Sequence, residues 1–107
     1  MLYKFKSKAG GDVVMLQAQG DQVLRAAGRE PAPRGIVQAA ELAAAIAAVE
    51  RAIAADEAAF AQAVADARAA GAEPPKRLGV QLRQRAWPLL ELMRRAAAEG
   101  ADLVWGV

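Results

Sequence analysis

The sequence contains no cysteine and no histidine among its 107 residues. Without cysteine the chain cannot form a disulfide. Without thiolate or imidazole ligands it has no donors for a zinc site, a His- or Cys-ligated haem or an iron–sulfur cluster. A Mg²⁺ or Ca²⁺ site made of carboxylates alone remains chemically open, but no spacing points to one, and we expect no metal and no cofactor.

Hydroxyl side chains that could act as nucleophiles are also scarce. The chain has no threonine, and its hydroxyl groups are those of Ser7 and Tyr3. No histidine is present to activate either hydroxyl, and the motifs HExxH, DxD and GxSxG are missing. We therefore name no catalytic residue and predict that the protein is not an enzyme.

The chain also lacks a long uncharged hydrophobic run. Its opening segment carries Lys4, Lys6 and Lys8 and so has no apolar region of the kind found in signal peptides. The longest apolar stretch is interrupted too often to cross a bilayer. The interrupting residues are Glu50, Arg51, Asp56, Glu57 and Asp66. We expect a cytoplasmic protein that does not bind membranes.

The composition is that of one folded domain, residues 1–107. Hydrophobic residues make up 55% and charged residues 24%, which is typical of globular rather than disordered chains. Alanine alone supplies 29 residues.

Alternating and β-branched segments predict three strands, at 1–7, 12–17 and 102–107. Ile36 and Val37 could add a short extended piece. A short helix is predicted at 21–27, with Asp21 placed to cap its start.

Two long helices are predicted, at about 39–70 and 79–99, each with apolar residues at helical spacing. Their short connection favours an antiparallel pair. Residues 41–73 hold six acids and two bases, and residues 76–95 hold six bases and one acid, so opposite charges favour the same pairing. We predict an α+β fold in which a small, mostly antiparallel sheet packs against this helix pair.

Asp56 is unusual because it falls within the apolar stripe of the first long helix. A buried carboxylate without a partner is costly. We expect Asp56 to face an arginine of the last helix or to mark where the stripe opens to solvent. A role in setting the register of a helical dimer is a third possibility.

Pro88 lies well inside the last helix, directly after Trp87. A proline there removes a hydrogen bond and strains the preceding turn, so it kinks or splits the helix. The main interpretation is that the kink places Trp87 at the edge of the core. The functional alternative is a groove with Trp87 and Arg83 or Arg85 at its rim.

The segment 29–35, with sequence REPAPRG, predicts a stiff loop flanked by Arg29 and Arg34. Paired arginines can bind a phosphate or a carboxylate. Together with Arg83, Arg85 and Trp87 they form a tentative site for a small anionic ligand. The simpler interpretation is a rigid surface connection.

Three functions remain after these exclusions. The leading hypothesis is a protein–protein interaction module that forms a homodimer, because the chain has a smooth alanine-rich surface and an available sheet edge. The second is binding or sensing of an anionic ligand. The third is weak nucleic-acid binding through the basic last helix, which we do not favour because the net charge is only +2.

Three segments resemble one family of short bacterial proteins. They are MLYKFKS at the start, GREPAPRGIVQAAELAAAIAAVERAI at 28–53 and LRQRAWPLLELMRRAAAEGADLVW at 82–105. The family is domain of unknown function 1840. The resemblance implies a small, single-domain, cytoplasmic bacterial protein. It implies no activity, ligand or functional residue.

Overall fold

A computed structural model of the protein describes residues 1–77 and 79–107. It contains one antiparallel sheet in the order β2-β1-β4-β3, with helices packed on one face. The elements are β1 Leu2–Ser7, β2 Gly10–Leu16, α1 Gln17–Ala26, β3 Gly35–Val37, α2 Leu42–Ala69, α3 Leu82–Glu99 and β4 Leu103–Trp105, with a 3-10 turn at Ala39–Glu41. The predicted α+β class is confirmed.

The sheet has four strands rather than the three predicted. The additional strand, β3, covers the segment around Ile36 that the sequence suggested only as an extended piece. β3 pairs with β4 through Ile36 and Val104, and β4 pairs with β1 through Trp105 and Phe5. A three-residue strand is too short to give a periodic signal in the sequence, so its existence depends on β4 lying beside it.

The inner face of the sheet forms half of the core. Tyr3, Phe5, Met15, Leu103 and Trp105 alternate along their strands and are all buried. The rings of Tyr3 and Phe5 stack with centroids 5.5 Å apart, and Trp105 lies 5.7 Å from Phe5. The alternating residues of the strands therefore point inward and outward in turn, as the period of two in the sequence predicts.

α3 lies against the inner face and α2 lies against α3. The buried residues of α3 are Ala86, Leu89, Leu90, Leu92, Met93 and Ala96. α3 is continuous through Pro88, so the proline does not split it. Ion pairs Arg83–Glu57 and Arg94–Glu50 link α2 and α3 in antiparallel order, which confirms the predicted pairing.

The second half of α2 extends beyond the core. The buried residues of α2 are Leu42, Ala45, Val49 and Ile53, and none of residues 54–69 is buried. We call residues 54–69 the distal arm. The long dimension of the molecule, 52 Å, reflects this extension.

Asp56 pairs with an arginine of the connection after α2 rather than of the last helix, and 36% of its side chain is exposed, in line with the alternative that the stripe opens to solvent there. Arg77 places its guanidinium 3.0 Å from the Asp56 carboxylate and 4.4 Å from the centre of the Phe60 ring. Arg77 thus attaches the returning chain to the distal arm.

α1 begins at Gln17, four residues earlier than predicted. Asp21 therefore lies inside the helix and does not cap it. Its carboxylate accepts a hydrogen bond from the hydroxyl of Tyr3. Gly20 is buried, and a Cβ there would lie 2.1 Å from the Tyr3 ring. The pair Gly20–Asp21 is thus explained by a tertiary contact rather than by the start of a helix.

Candidate functional site

The most prominent exposed surface is the face of the sheet opposite the helices. Leu2, Val14, Leu16 and Ile36 lie there with 45% to 60% of each residue exposed. We call this surface the outer sheet face; it comprises Leu2, Lys4, Lys6, Asp12, Val14, Leu16, Ile36 and Val104. Clustered exposed aliphatic side chains are a common sign of an interaction site.

Strand register defines how the apolar groups are arranged on this face. Leu2 pairs with Leu16 at one corner, and Val14 follows next to Lys4. At the opposite corner Val104 lies beside Ile36. The apolar groups therefore form two clusters at diagonal corners, with Lys4 between them. The sequence contained this signal, because these residues occupy the outward positions of the same alternation that defines the core.

Cations dominate the polar part of the outer sheet face. Lys4 lies 3.6 Å from Asp12, while Lys6 pairs with Val104 across the strands. Arg34 is exposed two residues before Ile36, against Gly106. Beyond Lys6 a groove of about 690 Å³ continues toward Lys8 and the turn 99–102. In that turn Asp102 is already engaged, because its carboxylate accepts a hydrogen bond from the backbone N–H of Ala39 at 2.8 Å.

The five residues predicted for an anion site do not converge. Arg29 binds Glu41 at 3.0 Å. A hydrogen bond from the Gln38 backbone and this arginine together lower the pKa of the Glu41 carboxyl. Arg29 thus fastens the loop to the start of the long helix.

Arg83 and Arg85 point to different helices. Arg83 binds Glu57 of α2 through two nitrogens, at 2.8 and 2.9 Å, and this contact lowers the pKa of the Glu57 carboxyl. Arg85 donates a hydrogen bond to the side chain of Gln22 in α1 at 3.1 Å. The two guanidinium groups therefore have separate partners within the chain.

Trp105 anchors the loop that contains Arg29 and Arg34. The indole N–H of Trp105 donates to the carbonyl of Ala32 at 2.9 Å. Its ring lies over Gly35, where a Cβ would be 2.1 Å from a ring carbon. The stiffness predicted from the prolines is thus reinforced by a tertiary hydrogen bond.

Trp87 lies on the solvent side of the α2–α3 seam and is 46% exposed. Ala86 and Leu89 of the same helix are buried, so Trp87 is half-exposed beside core residues. The Arg94 guanidinium lies 5.3 Å from the Trp87 ring centre and also binds Glu91 at 2.8 Å. These contacts place a cation and a carboxylate beside Trp87, and the groove suggested by the sequence stays a prediction.

Tyr3 and Asp21 border a small pocket of about 270 Å³ beside Arg25 and the loop 31–33. Burial, followed by the hydrogen bond to Asp21, raises the pKa of Tyr3 to about 12. The hydroxyl therefore keeps its proton at neutral pH and cannot act as a general base. The pair serves as a link between β1 and α1.

The part of the chain that the structure describes contains no group of three or more acidic residues that could hold a metal ion. Within the same residues, none of the helices combines the length and hydropathy needed to cross a bilayer.

A family model described as Domain of unknown function (DUF1840) matches residues 1–105. No curated protein and no solved structure matches the chain.

Proposed function

The chain belongs to the DUF1840 family, and we propose that it is a non-enzymatic protein–protein interaction module that binds its partner through the outer sheet face. The observation that carries this proposal is the exposure of Leu2, Val14, Leu16 and Ile36 on one face of the sheet. An antiparallel sheet tolerates a solvated face, but that face is then normally polar.

The aliphatic side chains of this surface contribute only a few kcal/mol to binding. Burying one such side chain fully contributes about 1.5–3 kcal/mol, so covering the exposed half of each contributes about 1 kcal/mol. Four side chains then contribute about 4 kcal/mol, which is no more than the cost of bringing two molecules together. A specific complex therefore needs polar contacts in addition to the aliphatic groups.

The homodimer expected from the sequence remains a proposal. β2 is a seven-residue strand at the edge of the sheet, and an exposed edge can pair with a second chain. Sedimentation velocity of the purified protein from low to high micromolar concentration would reveal such a dimer as a concentration-dependent rise in mass.

The two other functions have less support. Arg29, Arg83 and Arg85 each have a partner within the chain, which leaves few free groups for an anionic ligand. In the basic stripe of α3, Arg83 and Arg94 are paired with glutamates of α2, which weakens the attraction for nucleic acid.

Leu16→Asp provides a sharp test of the interaction surface. Leu16 occupies the N-cap position of α1 without a side-chain cap, and aspartate is a favourable N-cap residue. The variant therefore removes an apolar group from the outer sheet face while keeping or raising the stability of the fold. Val80→Asp is the matched control, because Val80 is 51% exposed in the connection before α3.

The assay is size-exclusion chromatography of extracts from the producing cells, with each variant expressed in place of the wild-type protein. We expect wild type and Val80→Asp to elute in a complex and Leu16→Asp to elute at the mass of one chain. Elution of all three proteins as single chains would contradict the proposal.

A further inference from the structure

The charges of the outer sheet face indicate which kind of partner it fits. Lys4 and Lys6 lie on β1, one of the two central strands, and Arg34 lies at the β3 side. Among the residues that the structure describes, Asp12 is the carboxylate that forms an ion pair with this group of cations, through Lys4. The surface thus has an excess of positive charge around its apolar clusters.

A second copy of the chain is a poor match for such a surface. Two outer sheet faces packed together would bring two sets of Lys4, Lys6 and Arg34 into one interface against two copies of Asp12. Removing an unpaired ammonium group from water costs several kcal/mol. That penalty is comparable to the gain of about 4 kcal/mol from the aliphatic side chains of each face.

The dimensions of the face suit a helix. The two corners are three strand spacings of about 4.8 Å apart across the sheet, about 14 Å, and four residues apart along β1, also about 14 Å, so the diagonal between them is about 20 Å long. A helix is about 10 Å wide, and about 13 residues cover 20 Å. One helix can therefore run from the Leu2–Leu16 corner to the Val104–Ile36 corner and pass directly over Lys4.

The cations lie on both sides of that diagonal. Lys6 is on the side that leads to the groove near Lys8, and Arg34 is on the side of β3. A helix lying along the diagonal would need apolar residues facing the sheet and acidic residues along both flanks. Such flanks would satisfy the lysines and supply the polar contacts that the aliphatic groups lack.

We propose that the outer sheet face binds an amphipathic helix of a partner protein whose apolar stripe is flanked on both sides by aspartate and glutamate. This inference rests on the proposed function and adds the chemistry of the partner.

The probes are three synthetic helical peptides of about 18 residues, long enough for about 13 residues to contact the sheet. All share one leucine stripe, and their flanking positions are glutamate, glutamine or lysine. Fluorescence anisotropy measures binding to the full chain at low and at high salt. We expect the glutamate peptide to bind at least about tenfold more tightly than the glutamine peptide, with the difference reduced at high salt. The lysine peptide should bind most weakly.

Two variants identify the surface and the charges. Leu16→Asp should abolish binding of the glutamate peptide, and Val80→Asp should leave it unchanged. The double variant Lys4→Glu with Lys6→Glu should reverse the preference, so that the lysine peptide binds more tightly. Both lysines are on the solvated face, and circular dichroism checks that the double variant is folded.

Other results overturn the inference in distinguishable ways. Equal binding of all three peptides, lost in Leu16→Asp, would refute the acidic partner and leave the interaction surface intact. Binding of no peptide, together with a dimer that Leu16→Asp dissociates, would identify a second copy as the occupant. Binding of no peptide, together with binding to phosphatidylglycerol vesicles that Leu16→Asp abolishes, would replace a protein partner with an anionic membrane.

Discussion

Gly20 offers the most direct test of the packing between α1 and the sheet. In an ordinary helix interior, replacing glycine by alanine stabilises the protein by about 1 kcal/mol. At this position the new Cβ would lie 2.1 Å from Cδ2 of Tyr3. The ring cannot easily move away, because it is 3% exposed, stacked on Phe5 and bonded through its hydroxyl to Asp21.

The clash should outweigh the gain in helix propensity. Overpacking of a filled core costs about 1–3 kcal/mol, and more where a rigid ring must shift. We expect Gly20→Ala to destabilise the protein by about 2 kcal/mol, which lowers the melting temperature by about 10 °C for a domain of this size. Thermal and urea denaturation followed by circular dichroism measure both quantities.

Two further variants show whether Tyr3 causes the effect. Gly11→Ala is the control, because a Cβ at Gly11 meets nothing within 4 Å. In a Tyr3→Leu background, Gly20→Ala should cost less than in the wild type, since leucine is smaller than the ring and can turn its methyl groups away from the new Cβ. A rise in the melting temperature of the single variant Gly20→Ala would refute the packing argument.

Three further predictions follow from the contacts described above. Folding raises the pKa of Tyr3 from 10.0 to about 12. The contribution of the protonated hydroxyl to the free energy of unfolding is therefore complete below pH 10 and is lost as the pH rises toward 12. Solvent near the hydroxyl limits that contribution to about 1–2 kcal/mol. Urea denaturation at pH 8 and pH 11 should show this loss of stability in the wild type but not in Tyr3→Phe. Amide hydrogen exchange should be faster in the distal arm, residues 54–69, than in residues 42–53, because the arm has no buried residue. Equal protection of the two halves of α2 would contradict this prediction. Trp105→Phe removes the hydrogen bond to the Ala32 carbonyl and should cost about 1 kcal/mol, with faster proteolysis of the loop at 29–34 as the second measurement.

The parts of the fold that follow local rules could be predicted from the sequence. Alternation gave the inward positions of Tyr3 and Phe5, and opposite charges gave the antiparallel pairing of α2 and α3. In both cases the signal is a repeated pattern over many residues. Gly100 follows α3 with a positive φ of 64°, the conformation in which glycine commonly ends a helix.

The partners of individual polar side chains far apart in the sequence could not be predicted. Asp21 resembled a helix cap because the Tyr3 hydroxyl that it binds lies 18 residues away. The partner of Asp56 is Arg77, which lies outside the helices and strands. The arginines 29, 83 and 85 resembled a binding set until their individual partners were known.

The candidate surface illustrates a different difficulty. Leu2, Val14 and Leu16 were visible as outward residues of two strands, but their meaning depends on which face the helices cover. A sequence pattern identifies two faces of a strand and does not say that one of them stays uncovered.

The position of β4 between β1 and β3 has a consequence for biosynthesis. β1 is synthesised before the other strands, but two of the three strand pairings in the sheet require residues 103–105. Contacts over such a separation in sequence form slowly. Until β4 is synthesised, the hairpin β1–β2 exposes both of its faces and an unpaired edge at β1. The sheet is therefore completed only after almost all of the described chain has left the ribosome.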